Sequence, residues 1–128
     1  MTRPRVMVVD DDAVNLLLAS EVLTLFGVEV VTWNNGHEAL RDFEARPFKL
    51  VFMDVHMPGM SGLEVTERVR AVEKARGWAR TPIVALTAST MPDEQQECLR
   101  RDMDAVLAKP FAFAEMRNVL DRWCIAGG

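Results

Sequence analysis

Four short apolar runs in this chain each end in a residue able to do chemistry. Val6-Met7-Val8-Val9 runs into Asp10-Asp11-Asp12, Leu50-Val51-Phe52-Met53 into Asp54, Ile83-Val84-Ala85-Leu86 into Thr87, and Ala105-Val106-Leu107-Ala108 into Lys109-Pro110. Carboxylates gathered in one place repel, so ionising all of them requires a cation nearby. Mg2+ suits such a set, because it takes one or two carboxylates together with waters and phosphate oxygens; Mn2+ is the nearest alternative. Zinc or copper would want His or Cys ligands, and His56 is the one such residue close to Asp54 in the sequence. A carboxylate can also attack phosphorus to give an acyl phosphate. Lys109 would then meet one phosphoryl oxygen as a point charge, and Thr87 would hydrogen-bond another. With the remaining charge offset by the metal, catalysis reduces to positioning and electrostatics.

That chemistry depends on elements that bring the four run-ends together. Arg5 to Val9 reads as a buried strand, followed by a helix from Ala13 to Phe26 with Asp12 as N-cap and Gly27 as stop. Its apolar residues Val14, Leu17, Leu18, Val22, Leu25 and Phe26 recur at helical spacing. Val28 to Trp33 is a second strand, and His37 to Ala45 a short helix ended before Pro47. Phe48 to Met53 is the third strand. Ser61-Gly62-Leu63-Glu64 has capping-box spacing, predicting a helix to Arg76 with Leu63, Val65, Val69 and Val72 inward. Thr81 to Thr87 is a fourth strand and Met91 to Arg101 a polar, weakly amphipathic helix. Asp104 to Ala108 is a fifth strand, and Phe113, Met116, Val119, Leu120 and Trp123 line the last helix.

Apolar strands alternating with one-faced helices imply an α/β fold, a doubly wound five-stranded parallel sheet covered on both sides. Ligands on such sheets sit beyond the carboxyl ends of the strands, which is where all four run-ends fall. Three aspartates stand where a glycine-rich phosphate loop would follow the first strand, which disfavours a dinucleotide site.

Bulk properties narrow the class further. A length of 128 residues suits a single domain over residues 1–128, and 49% hydrophobic with 27% charged residues is ordinary for a globular chain. A net charge of −4 offers no nucleic-acid surface, and no apolar run approaches the ~20 residues of a membrane span. A cytoplasmic location is expected. Cys98 and Cys124 are too few for a disulfide scaffold and are expected to be buried and reduced.

Each site residue has a structural explanation of its own. Asp54 before a Pro/Gly turn can be a turn-former, Asp10 to Asp12 can cap a helix, and Thr87 suits a strand regardless. Lys109, between a buried strand and a proline, has no evident structural use. Coincidence at one sheet edge is a poor explanation of the whole set.

The motifs VVDDD (Val8 to Asp12), FMDVHMPGMSGLE (Phe52 to Glu64), PIVALTA (Pro82 to Ala88) and AKPF (Ala108 to Phe111) stand in an order and spacing that resembles the receiver domain of two-component response regulators. The likeness runs from about Arg5 to Trp123. Asn15, the stretch Asn35 to Leu40, and Arg80 to Ile83 look like receivers attached to hybrid sensor kinases, which relay phosphate to a histidine phosphotransfer protein. The resemblance implies a three-layer, flavodoxin-like (βα)5 fold and a signalling phosphoacceptor that catalyses only its own phosphorylation and dephosphorylation. Asp54 would accept a phosphoryl group from a phosphohistidine, and Asp11, Asp54 and the His56 backbone carbonyl would hold Mg2+ directly. Asp10 would act mainly through water, Thr87 and Lys109 would sense the phosphoryl group, and Lys109–Pro110 would be cis. Partners would be a histidine kinase or histidine phosphotransfer protein, with the domain a monomer or a phosphorylation-dependent dimer. Phosphorylation would shift the face formed by the fourth helix, fifth strand and fifth helix.

Two departures from the family pattern stand out. Val106 occupies a position usually held by Tyr or Phe, and so has no ring to reorient. His56 and Ser89 stand at the two variable positions flanking the site, where relatives tune phosphoryl lifetime. Two other readings compete. A receiver-like module that signals without phosphate is favoured by Val106 and opposed by the complete acidic site. An aspartyl-phosphate phosphatase would want an Asp two residues after the nucleophile, where His56 stands.

Overall fold

In the computed structural model, which describes residues 3–88 and 91–125, strands and helices alternate without exception. They are β1 (Arg5–Val9), α1 (Ala13–Leu25), β2 (Glu29–Trp33), α2 (Gly36–Ala45), β3 (Leu50–Asp54), α3 (Gly62–Arg76), β4 (Ile83–Thr87), α4 (Pro92–Arg100), β5 (Ala105–Ala108) and α5 (Phe113–Leu120). A π-helical turn, Asp121–Ile125, follows. The strands pair in parallel in the order β2-β1-β3-β4-β5, so β3 is central and the order reverses direction beside β1. Every residue of β3 and β4 is buried, as strands covered on both faces require.

Strand alternation divides the core in two. Met7, Val9, Val51, Met53, Ile83 and Ala85 pack beneath Ala39 and Phe43 of α2 and Val65 and Val69 of α3. Val6, Val8, Leu50, Phe52, Val84 and Leu86 face Ala19 and Leu23 of α1 and Met116 and Leu120 of α5. This is the three-layer, doubly wound arrangement expected.

Three helices, α1, α2 and α3, begin where short polar side chains catch free backbone amides. Asp12 accepts from the Val14 amide at 2.9 Å, Asn35 from Glu38 at 2.9 Å, and Ser61 from Glu64 at 3.2 Å. α3 stops at Gly77, whose φ of 66° is left-handed. Cys98 is a free, buried thiol; the side chain of Cys124 lies outside the described residues.

Three inward faces differ from the sequence reading. On α1, Val14, Leu17, Leu18 and Leu25 are exposed by 64, 59, 52 and 76%, while Ala19 and Leu23 are buried with Leu16, Val22 and Phe26 against them. The helix is apolar nearly all round, so periodicity alone does not select the buried stripe. Phe113 also points outward, its ring edge-on to Phe26 at 4.7 Å. In α3, Glu73 is buried and Leu63 and Val72 are only half-buried. Glu73 takes the Thr81 amide at 2.6 Å and Arg70 at 3.0 Å, and Arg70 continues to Asp104 at 2.8 Å and the Asp102 carbonyl. A paired charge network thus ties α3 to the starts of β4 and β5. β4 begins at Ile83 rather than Thr81; the Thr81 amide bonds to Glu73, and Pro82 has no amide to donate to the ladder.

Gly62 governs how closely α3 approaches the end of β3. Its amide donates to the Val55 carbonyl at 3.0 Å, and a Cβ built there would lie 2.1 Å from the Asp54 carbonyl oxygen. Backbone, not a pliable side chain, blocks the space. Gly62→Ala is therefore expected to lose about 1–3 kcal/mol in denaturant unfolding, the usual cost of overpacking, while Gly77→Ala meets no neighbour and should lose only about 1–2 kcal/mol, the cost of its left-handed backbone.

Candidate functional site

Strand register assembles the site. Val9 lies level with Met53, which sets Asp10 beside Asp54. Asp54 lies level with Leu86, so Thr87 is one residue beyond it; Thr87 pairs with Ala108, so Lys109 follows. The Val55 amide bonds to the Leu86 carbonyl at 3.0 Å and the Lys109 amide to the Thr87 carbonyl at 2.8 Å, which extends the ladder into the loops. The Lys109–Pro110 peptide is cis.

Asp10 and Asp54 are buried and Asp11 is exposed, yet one carboxylate oxygen from each lies within 4.8 Å of the others. Lys109 Nζ sits 2.9 Å from Asp10 Oδ2 and 3.3 Å from Asp54 Oδ1. Asp10 Oδ1 accepts the Asp12 amide at 2.9 Å, and its sealed Oδ2 faces the Lys109 ammonium. Asp54 Oδ1 also accepts the His56 amide at 3.3 Å.

Two carboxylates and one ammonium leave net negative charge in a buried space. Burial, followed by the charge of Asp10, raises the Asp54 pKa from 3.8 to about 7, although Lys109 pulls it down. Burial works against the charged form of Lys109, but its hydrogen bond to Asp10 and the charges of Asp54 and Asp10 outweigh this and raise its pKa. Asp54 therefore holds its proton more tightly folded than unfolded. Metal-free stability accordingly falls as pH rises from 3.8 towards 7.

An under-compensated trio of hard oxygen donors fits a divalent cation of the Mg2+ class. Thr87 is buried at the end of β4, beside Lys109. Ser89 lies outside the described residues. Val106 is half-buried against the α2–α3–α4 side of the core. The His56 ring is largely exposed and joins Glu94 of α4 through Nε2. Gly62 and Glu94 are the contacts that the sequence did not disclose. Gly62 stood inside a helix-start motif that explained it already, and Glu94 lies 38 residues from His56.

Residues 6–121 match the model of the response regulator receiver domain. The chain belongs to this family. It is 42% identical over 120 residues to the sensor histidine kinase GacS of Pseudomonas protegens, a match covering 94% of this chain and 13% of that protein. The receiver therefore spans a small part of the length of the curated relatives it matches. Among solved structures, the receiver domain of the histidine kinase CKI1 from Arabidopsis thaliana, complexed with Mg2+ and BeF3−, is 35% identical with a TM-score of 0.82, covering 93% of this chain and 88% of that one. A chain from the Saccharomyces cerevisiae co-crystal of the histidine phosphotransfer protein Ypd1 and the receiver domain of Ssk1 is 26% identical with a TM-score of 0.92, covering 98% and 92%. No helix among the described residues is long and apolar enough to cross a membrane.

The raised Asp54 pKa makes cation binding proton-coupled. Mg2+ affinity measured calorimetrically should rise by up to about tenfold per pH unit below about 7 and level off above it. Asp54→Asn should flatten that dependence; an unchanged pH slope would show that another group carries it.

Proposed function

We propose that residues 1–128 form one phosphoacceptor receiver domain in which Asp54 takes a phosphoryl group from a phosphohistidine. The observation that carries this reading is the Asp10–Lys109–Asp54 arrangement, with a buried carboxylate whose charge is only partly offset. An Asp54 oxygen attacks phosphorus in line, the new O–P bond forms, and the N–P bond breaks with its electron pair returning to the donor imidazole. Lys109 faces the developing negative charge on the phosphoryl oxygens, Thr87 offers a hydroxyl, and the His56 amide, already aimed at Asp54 Oδ1, donates to the same region. Asp10, Asp11, Asp54 and the His56 carbonyl would hold Mg2+, which supplies charge neutralisation. The Mg2+- and BeF3−-bound receiver of CKI1 supports this assignment.

The donor is a histidine kinase or histidine phosphotransfer protein, a reading supported by the Ypd1 co-crystal relative. Its approach is suggested by α1, which starts directly after the acidic cluster and exposes Val14, Leu17 and Leu18. An apolar surface beside a charged site suits a partner helix that brings a histidine to Asp54. Phosphorylation then shifts the equilibrium of the face formed by α4, β5 and α5. His56 and Ser89 set the lifetime of the phosphoryl group.

Incubation with Mg2+ and acetyl phosphate should add one phosphoryl group to the wild type and none to Asp54→Asn, read by intact mass. Labelling that survives Asp54→Asn would overturn the assignment. Leu18→Asp should slow transfer from a phosphorylated phosphotransfer protein by about tenfold or more and leave labelling by acetyl phosphate unchanged, since only the protein donor needs the α1 surface. Equal slowing with both donors would remove α1 from the docking role.

A further inference from the structure

Among the described residues α4 buries the fewest side chains of the five α-helices. Cys98 is its one buried side chain, whereas α1, α3 and α5 each bury at least two, among them Leu23, Val65, Val69, Met116 and Leu120. Its N-cap, Met91, makes no side-chain capping bond. Polar contacts fix it instead. Arg101, just past its C-terminal end, binds Glu67 of α3 through Nε at 2.8 Å, and Glu94 in its first turn meets the His56 ring. A helix held by one small thiol and polar contacts moves at low cost when a contact moves.

His56 touches both ends of a route. Its amide donates to Asp54 Oδ1, and its ring, two residues past that carboxylate in sequence, bonds Glu94 through Nε2. A group added at Asp54 Oδ1 changes the acceptor of the His56 amide, and a shift of that backbone would carry the ring and its bond to α4 with it. Val106 offers no equivalent path through β5, because it has no polar atom and a branched side chain is stiff at χ1.

We infer that Glu94 is a positioning residue that, through His56, couples the state of Asp54 to the placement of α4. The pair is solvent-exposed on the His56 side, at 70%, so its contribution is geometric rather than a large share of stability. The inference rests on the phosphoacceptor reading and adds to it the side chains that carry the signal out of the site.

The test uses amide chemical shifts of the full chain with Mg2+, before and after beryllofluoride. In the wild type, amides at the site (Val55, Lys109) and on α4 (Cys98, Leu99) should all shift. In Glu94→Ala the site amides should shift as before, while the α4 response falls at least twofold. Glu94→Gln, which keeps an acceptor for the ring, should restore most of it. His56→Ala should lose as much of the α4 response as Glu94→Ala, and the double variant should lose no more of it than either single one. An undiminished α4 response in Glu94→Ala, or additive losses in the double variant, overturns the inference while leaving phosphorylation intact. A silent α4 in the wild type with shifted site amides overturns it too. Failure of beryllofluoride to shift the site amides of the wild type instead removes the phosphoacceptor reading on which it stands. Should Glu94→Ala not fold, the comparison of Glu94→Gln with His56→Ala decides: equal responses overturn the route, unequal ones support it.

Discussion

The repulsion among Asp10, Asp11 and Asp54 is the constraint from which the arrangement of the site follows. Oxygens held within 4.8 Å of one another are tolerable only with positive charge at hand, and in the folded chain that charge comes from Lys109, 2.9 Å from Asp10 and 3.3 Å from Asp54. Lys109 in turn is delivered by β5, whose register against β4 is fixed by Thr87 and Ala108. Removing any of these ties would leave a buried carboxylate without a counter-charge, a costly state. The sheet thus serves as a ruler: parallel pairing from β1 to β5 sets distances between groups remote in sequence. The compensation stays incomplete, and burial together with the charge of Asp10 keeps the proton affinity of Asp54 high.

Much of this was legible in the chain because the signals were redundant. β3 and β4 were readable as apolar runs with no polar interruption, and their exit residues identified the edge where chemistry sits. The cap residues Asp12 and Ser61 marked two helix starts by side-chain chemistry, without need of periodicity. Lys109 was informative for a negative reason, since a lysine there serves no local purpose.

Other features were not legible, for physical reasons. On α1, Val14 to Phe26 offers apolar side chains at most angles around the axis, so the choice of Ala19 and Leu23 as the buried pair is made by the sheet beneath. A small residue wins because the helix packs close. Glu73 inverts the usual rule that charge faces water; it is buried because Arg70 and the Thr81 amide meet it there, partners that no local pattern announces. The His56–Glu94 contact is equally non-local.

The two poles of the sheet are built on opposite logic. At the amino ends of β4 and β5, Arg70, Glu73 and Asp104 satisfy one another; at the carboxyl ends, like charges are crowded and short of partners. Stability is therefore concentrated at one pole and reactivity at the other. A neutral isostere at position 54 would relieve the crowding and leave a more stable but inert sheet edge. An ionisable Asp at that point of the fold is thus held at the expense of stability.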